Sequence, residues 1–136
     1  MTRKDFQNLA KLRAVEARLL ARSGKEEGAY YFAGMAIECA LKACIAKKTK
    51  RHDFPPDKKQ IEKVYTHDLA QLLRLAGLEG DLDADAKNNA VLGRNWSTVK
   101  NWNNDSRYQT SGLNGKDMHA ASIGPDGVLT WIKRRW

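Results

Sequence analysis

The residues of this chain best suited to proton transfer and phosphate binding are its histidines and a few arginines. Histidine titrates near neutral pH, whereas the arginine fork pairs with two phosphate oxygens at once. The histidines are His52, His67 and His119, and no recognisable spacing places one of them beside a nucleophile. The sequence has no glycine-rich phosphate loop and no His/Cys metal set, so we expect no metal and no cofactor. His67 and His119 are candidates for proton transfer, with a merely solvated or hydrogen-bonded side chain as the alternative.

The charge of the chain points to a polyanionic partner. The net charge is +8, with 12 Lys/Arg against 5 Asp/Glu in residues 1–52, 7 against 9 in residues 53–105, and 5 against 2 in residues 106–136. We expect nucleic acid rather than a membrane, because no strongly amphipathic Trp/Leu face accompanies the basic residues.

Length and cysteine usage predict a single domain, residues 1–136, that needs neither metal nor disulfide support. Cys39 and Cys44 lie five residues apart, about 140° around a helix, which is too divergent for a disulfide. We therefore expect both cysteines to be free thiols in the core of a protein from a reducing compartment. The first residues lack the apolar stretch of a signal peptide, and we expect a cytoplasmic protein.

The sequence of residues 28–47 predicts a helix that is apolar on nearly every side. Such a helix must be enclosed by other helices, so we expect it at the centre of the fold. Many of its residues are small, which lets neighbouring helices approach closely. Glu38 and Lys42 are spaced for an ion pair on one face. That pair lies either in one wetted stripe or at a subunit interface or pocket wall.

Residues 5–22 predict an amphipathic first helix, followed by a turn at 23–28 that makes a helical hairpin. Arg13 and Glu16 fall inside its apolar arc, as a buried or interfacial pair. The arc consists of Phe6, Leu9, Leu12, Leu19 and Leu20. The opposite side is a basic ridge, either a solvated face or a phosphate-tracking stripe, formed by Lys4, Lys11, Arg18 and Arg22.

The remainder of the chain also predicts helices. Adjacent prolines at 55 and 56 rule out continued helix. Thr66 is predicted to cap a helix over 67–76 that Gly77 ends, and Asp81 to cap one that continues through Gly93 to about residue 103. The last segments are a loop at 104–116, a short helix at 117–123 and a final helix at 125–136. No segment alternates as a strand does, so the prediction is all-α, a single antiparallel bundle of four to five helices.

Four segments together resemble a HEPN domain, the higher eukaryotes and prokaryotes nucleotide-binding family. They are AIECALKA at 36–43, THDLAQLL at 66–73, the W-x4-RY segment at 102–108, and VLTWIKRRW at 128–136. The resemblance covers almost the whole chain and implies an up-and-down bundle that forms a homodimer. It also implies a nucleotide or RNA ligand and a partner such as a nucleotidyltransferase or an antitoxin, in a toxin–antitoxin or defence pair. Glu38 with Lys42, and Arg107 with Tyr108, then stand at family hallmarks.

Members of this family that cut RNA carry an arginine followed by a polar residue, and a histidine separated from the arginine by four to six intervening residues. Here Arg94-Asn95 begins such a motif, but the histidine positions hold Val99, Lys100 and Asn101. Lysine, with an ordinary pKa of about 10.4, is a poor base at neutral pH. The resemblance therefore implies binding without efficient catalysis.

The candidate ligand groove comprises Arg94, Asn95, Lys100, Arg107 and Tyr108. Trp96 and Trp102, with the Glu38–Lys42 pair, are predicted to be structural or to form the dimer interface. Two alternatives stay open at this point. One is a metal-independent ribonuclease whose general base is atypical, with His67, His119 and Arg94 as candidate residues. The other is a protein–protein interaction module without a nucleic acid ligand.

Overall fold

The computed structural model describes residues 1–49 and 62–136, and no β-strand occurs in these two stretches. The all-α prediction is confirmed for them. The predicted break at Pro55 and Pro56 lies outside the described residues, as does His52. The helices are α1 (Arg3–Arg22), α2 (Glu26–Lys48), α3 (Leu69–Leu75), α4 (Glu79–Asn88), α5 (Ala90–Val99), a 3-10 helix (Asn104–Tyr108), α6 (Gly115–Ser122) and α7 (Val128–Lys133).

A capping box begins α1 before the predicted residue 5. The Thr2 hydroxyl accepts a hydrogen bond from the Asp5 amide at 3.1 Å, and the Asp5 carboxylate accepts one from the Thr2 amide at 2.7 Å. These bonds satisfy amides that the first turn of a helix leaves without partners. Gly24, with φ of +70°, then reverses the chain, and α2 begins at Glu26, inside the segment predicted as the turn.

The central position of α2 is confirmed. Its buried residues are Ala29, Ala33, Gly34, Ala36, Ile37, Glu38, Cys39, Ala40, Leu41, Ala43 and Cys44. Both cysteines are free thiols, and burial raises the pKa of each to about 11. They are therefore inert core residues at neutral pH, as predicted.

The core side of α1 coincides only in part with the predicted leucine arc. Leu12 and Leu19 are 50% and 57% exposed, and Val15 between them is 52% exposed. The buried residues of α1 are instead Ala10, Ala14 and Ala17. Alanines on the buried sides of α1 and α2 let the two backbones approach closely, whereas leucines would hold them apart. Leu12, Val15 and Leu19 are consequently left on the outer face, whereas Phe6, Leu9 and Leu20 are half-buried.

The start of α3 differs from the prediction by its cap. Asp68, not Thr66, is the N-cap, and its carboxylate accepts a hydrogen bond from the Gln71 amide at 3.1 Å. The Thr66 hydroxyl accepts one from the Asp68 amide at 3.1 Å and so shapes the preceding turn. His67 therefore lies outside the helix that it was predicted to begin. The predicted end at Gly77 is confirmed by its φ of +73°, which favours glycine.

The single helix predicted from Asp81 to about residue 103 is two helices. α4 begins at Glu79 without a cap from Asp81, and Asn89 is extended, with φ of −140°. The Asn89 side chain accepts a hydrogen bond from the Leu92 amide at 3.1 Å and so begins α5. An asparagine side chain competes in this way with continued helix. The chain thus turns at Asn89 rather than bending at Gly93.

The last two helices differ from their predicted bounds, since α6 is shifted towards the N-terminus and α7 is shorter. α6 begins at Gly115 rather than 117, because Asn114 caps it by accepting a hydrogen bond from the Asp117 amide at 3.0 Å. α7 begins only after Gly127, so Pro125 lies in the preceding turn rather than at a helix start. The predicted loop at 104–116 also contains the 3-10 helix.

Asp85 on α4 links that helix to α7. Its Oδ2 accepts a hydrogen bond from Trp131 Nε1 at 2.8 Å and one from Arg135 Nη2 at 3.1 Å. The Arg135 guanidinium also lies 3.6 Å from the centre of the Trp131 ring. The three side chains therefore form one clamp between the middle and the end of the chain.

By length and apolar composition α2 also meets the criteria for a membrane span. However, 67% of its most apolar stretch is buried inside the fold. A core helix of a globular bundle passes the same test, so this feature is weak evidence for a membrane location.

Candidate functional site

A cleft of about 340 Å³ opens where the chain enters α3 and leaves α5. His67 and Asp68 approach it from the start of α3, and Lys100 from the end of α5. Its full lining is His67, Asp68, Lys100, Trp102, Asn103, Asn104 and Asp105. The cleft thus combines one ammonium group, one imidazole, two amides and two carboxylates.

Behind the cleft, Glu38 joins two residues. Its Oε1 lies 2.6 Å from His67 Nδ1, and its Oε2 lies 3.4 Å from Lys42 Nζ. Glu38 is only 4% exposed, and the Lys42 side chain only 12%. The wetted stripe considered from the sequence is therefore wrong. The pair is enclosed behind the cleft and contacts its lining only through His67. A buried carboxylate requires such compensation.

The structure divides the predicted ligand groove. Lys100 lines the cleft, but Arg94 and Asn95 are not among the lining residues. Arg94 precedes Lys100 by six residues, which places them about 120° apart around the helix axis. The Asn95 amide instead donates a hydrogen bond to the Asp126 carbonyl at 2.9 Å. The sequence motif that Arg94-Asn95 begins therefore points to another face of the molecule.

Arg107 and Tyr108 stand near the cleft, on the 3-10 helix that supplies Asn104 and Asp105. Both are exposed, and the Arg107 guanidinium lies 4.7 Å from the centre of the Tyr108 ring. The Tyr108 phenol, and to a smaller extent that of Tyr31, raises the pKa of Arg107. A solvent-facing arginine stacked on an aromatic ring is suited to phosphate and base contacts at the rim.

The predicted tryptophan interface is not exposed. Trp102 is 4% exposed, and its indole occupies the space beside Gly34 on α2 that a side chain would otherwise fill. Tyr31 packs against the same indole with the ring centres 6.0 Å apart. Trp96 is half-buried and packs on the core. Trp102 is therefore covered within one chain, whereas Trp96 stays partly exposed.

His119 is not in the cleft. It lies on α6, and its Nε2 is buried without a hydrogen-bond partner among the described residues. Burial lowers the pKa of His119, and the nearby Arg18 and Arg22 lower it further. His119 therefore lies in a contact between α1 and α6, away from the cleft.

The outer side of α1 carries the predicted basic ridge. Lys4, Lys11, Arg18 and Arg22 are all exposed. The Arg13–Glu16 pair forms at 2.6 Å with both side chains half-buried, and the Arg13 guanidinium lies 5.6 Å from the centre of the Phe32 ring. Both the pair and the ridge follow from helical spacing alone.

Sequence reasoning missed the acidic and amide residues of the cleft. Asp68 was missed because Thr66 was predicted to be the N-cap of α3. Asn103 and Asn104 directly follow a buried tryptophan. A short polar segment after such an apolar anchor was the sequence feature from which these two cleft residues could have been predicted. Among residues 1–49 and 62–136, no group of three or more His, Cys, Asp or Glu side chains is placed to hold a metal ion.

Comparison with known proteins finds no matching family model, no matching curated protein and no matching solved structure. The site must therefore be interpreted from its own geometry.

Proposed function

We propose that this chain is a HEPN-type helical module of the cytoplasm that binds a nucleotide or RNA at the cleft beside α3. The observation that carries the proposal is the meeting of Lys100 with His67 and the amides of Asn103 and Asn104 in one opening. Lysine supplies a point charge for a phosphate, and amide side chains supply donors and acceptors for base edges. The net charge of +8 and the HEPN-like segments support the same proposal.

The proposed path of the ligand leaves the cleft along the 3-10 helix. Arg107 and Tyr108 are exposed there, so that arginine meets a second phosphate while the tyrosine ring stacks on a base. Asp68 and Asp105 accept hydrogen bonds from ribose hydroxyls or base amino groups. In this arrangement Arg94 contributes only through long-range charge.

The test is fluorescence anisotropy with a labelled single-stranded RNA over about 50 to 200 mM salt. Lys100→Gln weakens binding and lowers the salt slope by about one unit, as expected for a lost phosphate contact. Lys87→Gln is the matched control, because it removes the same charge from an exposed position on α4. Arg94→Gln, which leaves the cleft intact, behaves like Lys87→Gln. Equal effects of all three variants, or binding that is independent of salt, contradict the cleft as the binding site.

A second candidate function is protein–protein interaction, which the outer face of α1 favours. Leu12, Val15 and Leu19 form an exposed apolar stripe along it. Aliphatic side chains at three successive turns of one helix face are a common contact surface for a partner helix. We propose that this surface forms the contact with a second copy of the chain in a homodimer, or with a partner such as a nucleotidyltransferase or an antitoxin.

A further inference from the structure

The charges that line the cleft do not suit a run of phosphates. The lining holds one ammonium group, that of Lys100, against two carboxylates, those of Asp68 and Asp105. Each carboxylate repels a nearby phosphate, and in a partly enclosed cleft this repulsion is less screened than on an open surface. A ligand with several phosphates is therefore disfavoured, and a phosphate that enters the cleft is held at Lys100.

The volume of the cleft also limits the ligand. At about 340 Å³ it lies near the lower end of the roughly 300–1,000 Å³ found for small-molecule sites. One nucleotide is a ligand of that size, whereas a stretch of several nucleotides is not. A single base with its own phosphate is therefore the part of an RNA that this cleft takes.

The two carboxylates differ in what they offer a ligand. Asp68 is the N-cap of α3, and its Oδ1 accepts a hydrogen bond from the Gln71 amide at 3.1 Å. Asp105 lies on the 3-10 helix, where its backbone amide, not its carboxylate, forms the local hydrogen bond, to Asn103 Oδ1 at 2.7 Å. Within residues 1–49 and 62–136, both oxygens of the exposed Asp105 carboxylate remain as acceptors for a ligand.

The same hydrogen bond leaves an amide donor beside this carboxylate. Because Asn103 Oδ1 accepts from the Asp105 amide, Nδ2 is the polar atom of the Asn103 side chain that remains for a ligand. Trp102, packed against Gly34, anchors the start of this segment. One short stretch of chain thus presents a donor next to two acceptors at the edge of the cleft.

We propose that the cleft selects guanine and that Asp105 recognises the base; this inference rests on the proposed binding of a nucleotide or RNA. Guanine has two adjacent donors on its Watson–Crick edge, N1–H and the N2 amino group, and both donate to the Asp105 carboxylate. Its O6 accepts a hydrogen bond from Asn103 Nδ2, and its phosphate pairs with Lys100. Unpaired bases of single-stranded RNA present this edge to proteins.

The other bases do not match the two oxygens of Asp105. Adenine and cytosine each have a ring nitrogen acceptor beside their amino group, so its lone pair faces one carboxylate oxygen. Uracil has one N–H between two carbonyl acceptors. A site whose polar groups stay unpaired with the wrong ligand discriminates strongly against it. We therefore expect a preference of about tenfold, within the usual range for a bidentate contact to a base.

The experiment uses the full chain and labelled oligoadenylates that differ only in one central nucleoside, with binding read by fluorescence anisotropy at constant salt. That nucleoside is guanosine, inosine or adenosine, and inosine keeps N1–H and O6 but lacks the N2 amino group. We expect guanosine to bind about tenfold more tightly than adenosine, with inosine between them. Equal affinity for inosine and guanosine overturns the two-donor contact.

Asp105→Asn separates base recognition from charge, because the two effects have opposite signs. Loss of a negative charge in the cleft strengthens binding of any RNA, whereas loss of the two acceptor oxygens weakens binding of the guanosine oligonucleotide alone. We expect the variant to bind the adenosine oligonucleotide at least as tightly as the unaltered chain does and to lose the preference for guanosine. Asp83→Asn is the matched control, since it removes the same charge from an exposed position on α4 and keeps the preference.

A second variant tests the donor. Asn103→Asp keeps an oxygen that can accept from the Asp105 amide and removes the donor to O6, so the preference for guanosine falls. The ratio of the two affinities is the measurement, because the added charge weakens binding of both oligonucleotides alike. Circular dichroism establishes that each variant is folded before it is assayed.

The outcomes separate the two proposals. RNA that binds with the same affinity whatever its central nucleoside overturns the guanine inference and leaves the proposed function standing. A guanosine preference that survives Asp105→Asn overturns the assignment of base recognition to Asp105. If none of the oligonucleotides binds, the proposed function itself is wrong.

Discussion

The Trp102 indole occupies the space beside the Cα of Gly34, where any side chain on that residue would overlap the ring. The two residues are 68 positions apart in the chain. The contact anchors the segment that follows α5 to the central helix. Because Asn103 and Asn104 come next, it also determines where the amide side of the cleft lies.

Replacing Gly34 with alanine is expected to destabilise the fold by about 2 kcal/mol, within the range for overpacked cores. Gly80→Ala is the matched control, since no atom lies within 4 Å of the position a Cβ would take there. In α4 that change stabilises through helix propensity by less than the roughly 0.5–1 kcal/mol of a helix interior, because Gly80 is the second residue of the helix. Urea unfolding of both variants measures the difference. Equal urea midpoints for the two alanine variants would show that the Trp102 ring moves aside without loss of stability.

Asp85→Ala is expected to lower the free energy of unfolding by about 1–2 kcal/mol, because it leaves the Trp131 N–H without its acceptor. Trp131 is 7% exposed, so water does not readily replace the lost bond. Asp83→Ala removes the same charge from an exposed position of α4 and serves as control. Thermal unfolding followed by tryptophan fluorescence reports both. A loss of equal size in Asp83→Ala would assign the effect to helix charge rather than to the clamp.

His119 makes stability fall in weakly acidic solution. Its pKa is lowered in the folded state by burial and by Arg18 and Arg22, so the unfolded chain binds its proton at higher pH. The free energy of unfolding is therefore unaffected by this group above the unfolded pKa, declines as pH falls through about 6.5, and levels off below the folded pKa. His119→Gln removes that decline, measured by urea unfolding between pH 7.5 and 5.5. The prediction is wrong if the variant and the unaltered chain show the same decline.

The homodimer is expected to use the outer face of α1, since the central helix is covered within one chain. Sedimentation equilibrium at micromolar concentration then gives twice 15.3 kDa. Leu12→Asp with Leu19→Asp yields a monomer, because charged residues replace the apolar stripe. Val91→Asp, at an exposed apolar position on α5, leaves the mass unchanged. A monomer from the unaltered chain across this range contradicts the dimer.

Local signals predicted the fold best. Gly77 ends α3 through its own φ, and the run of small residues around Gly34 and Ala36 predicted a central helix, because both depend on neighbours in sequence. The turn at Asn89 was missed, since an asparagine inside an apolar pattern gives no sign whether its side chain caps a new helix. The outer position of Leu12 and Leu19 was also missed. It depends on the alanines of α2, which a pattern within α1 does not contain.

The site was less accessible to prediction than the fold. Glu38 and Lys42 were found from their spacing on one helix, but Glu38 and His67 are 29 residues apart and meet only through tertiary packing. Lys100 was selected as a ligand residue because it stands at a histidine position of the motif that Arg94 begins and carries a charge that suits a phosphate. Their separation of about 120° around the helix axis follows from the six-residue spacing, but which of the two faces the cleft is decided by tertiary packing.

Glu38 lies on the most enclosed helix of the bundle, whereas Lys100 and Asn103 lie at a helix end and in the turn beyond it. Amides of an enclosed helix exchange with solvent only when the whole domain opens, while those of helix ends exchange through local fraying. Glu38, behind the cleft, therefore keeps its geometry as long as the protein is folded, whereas Lys100 and Asn103, which line the cleft, lie where the backbone opens locally.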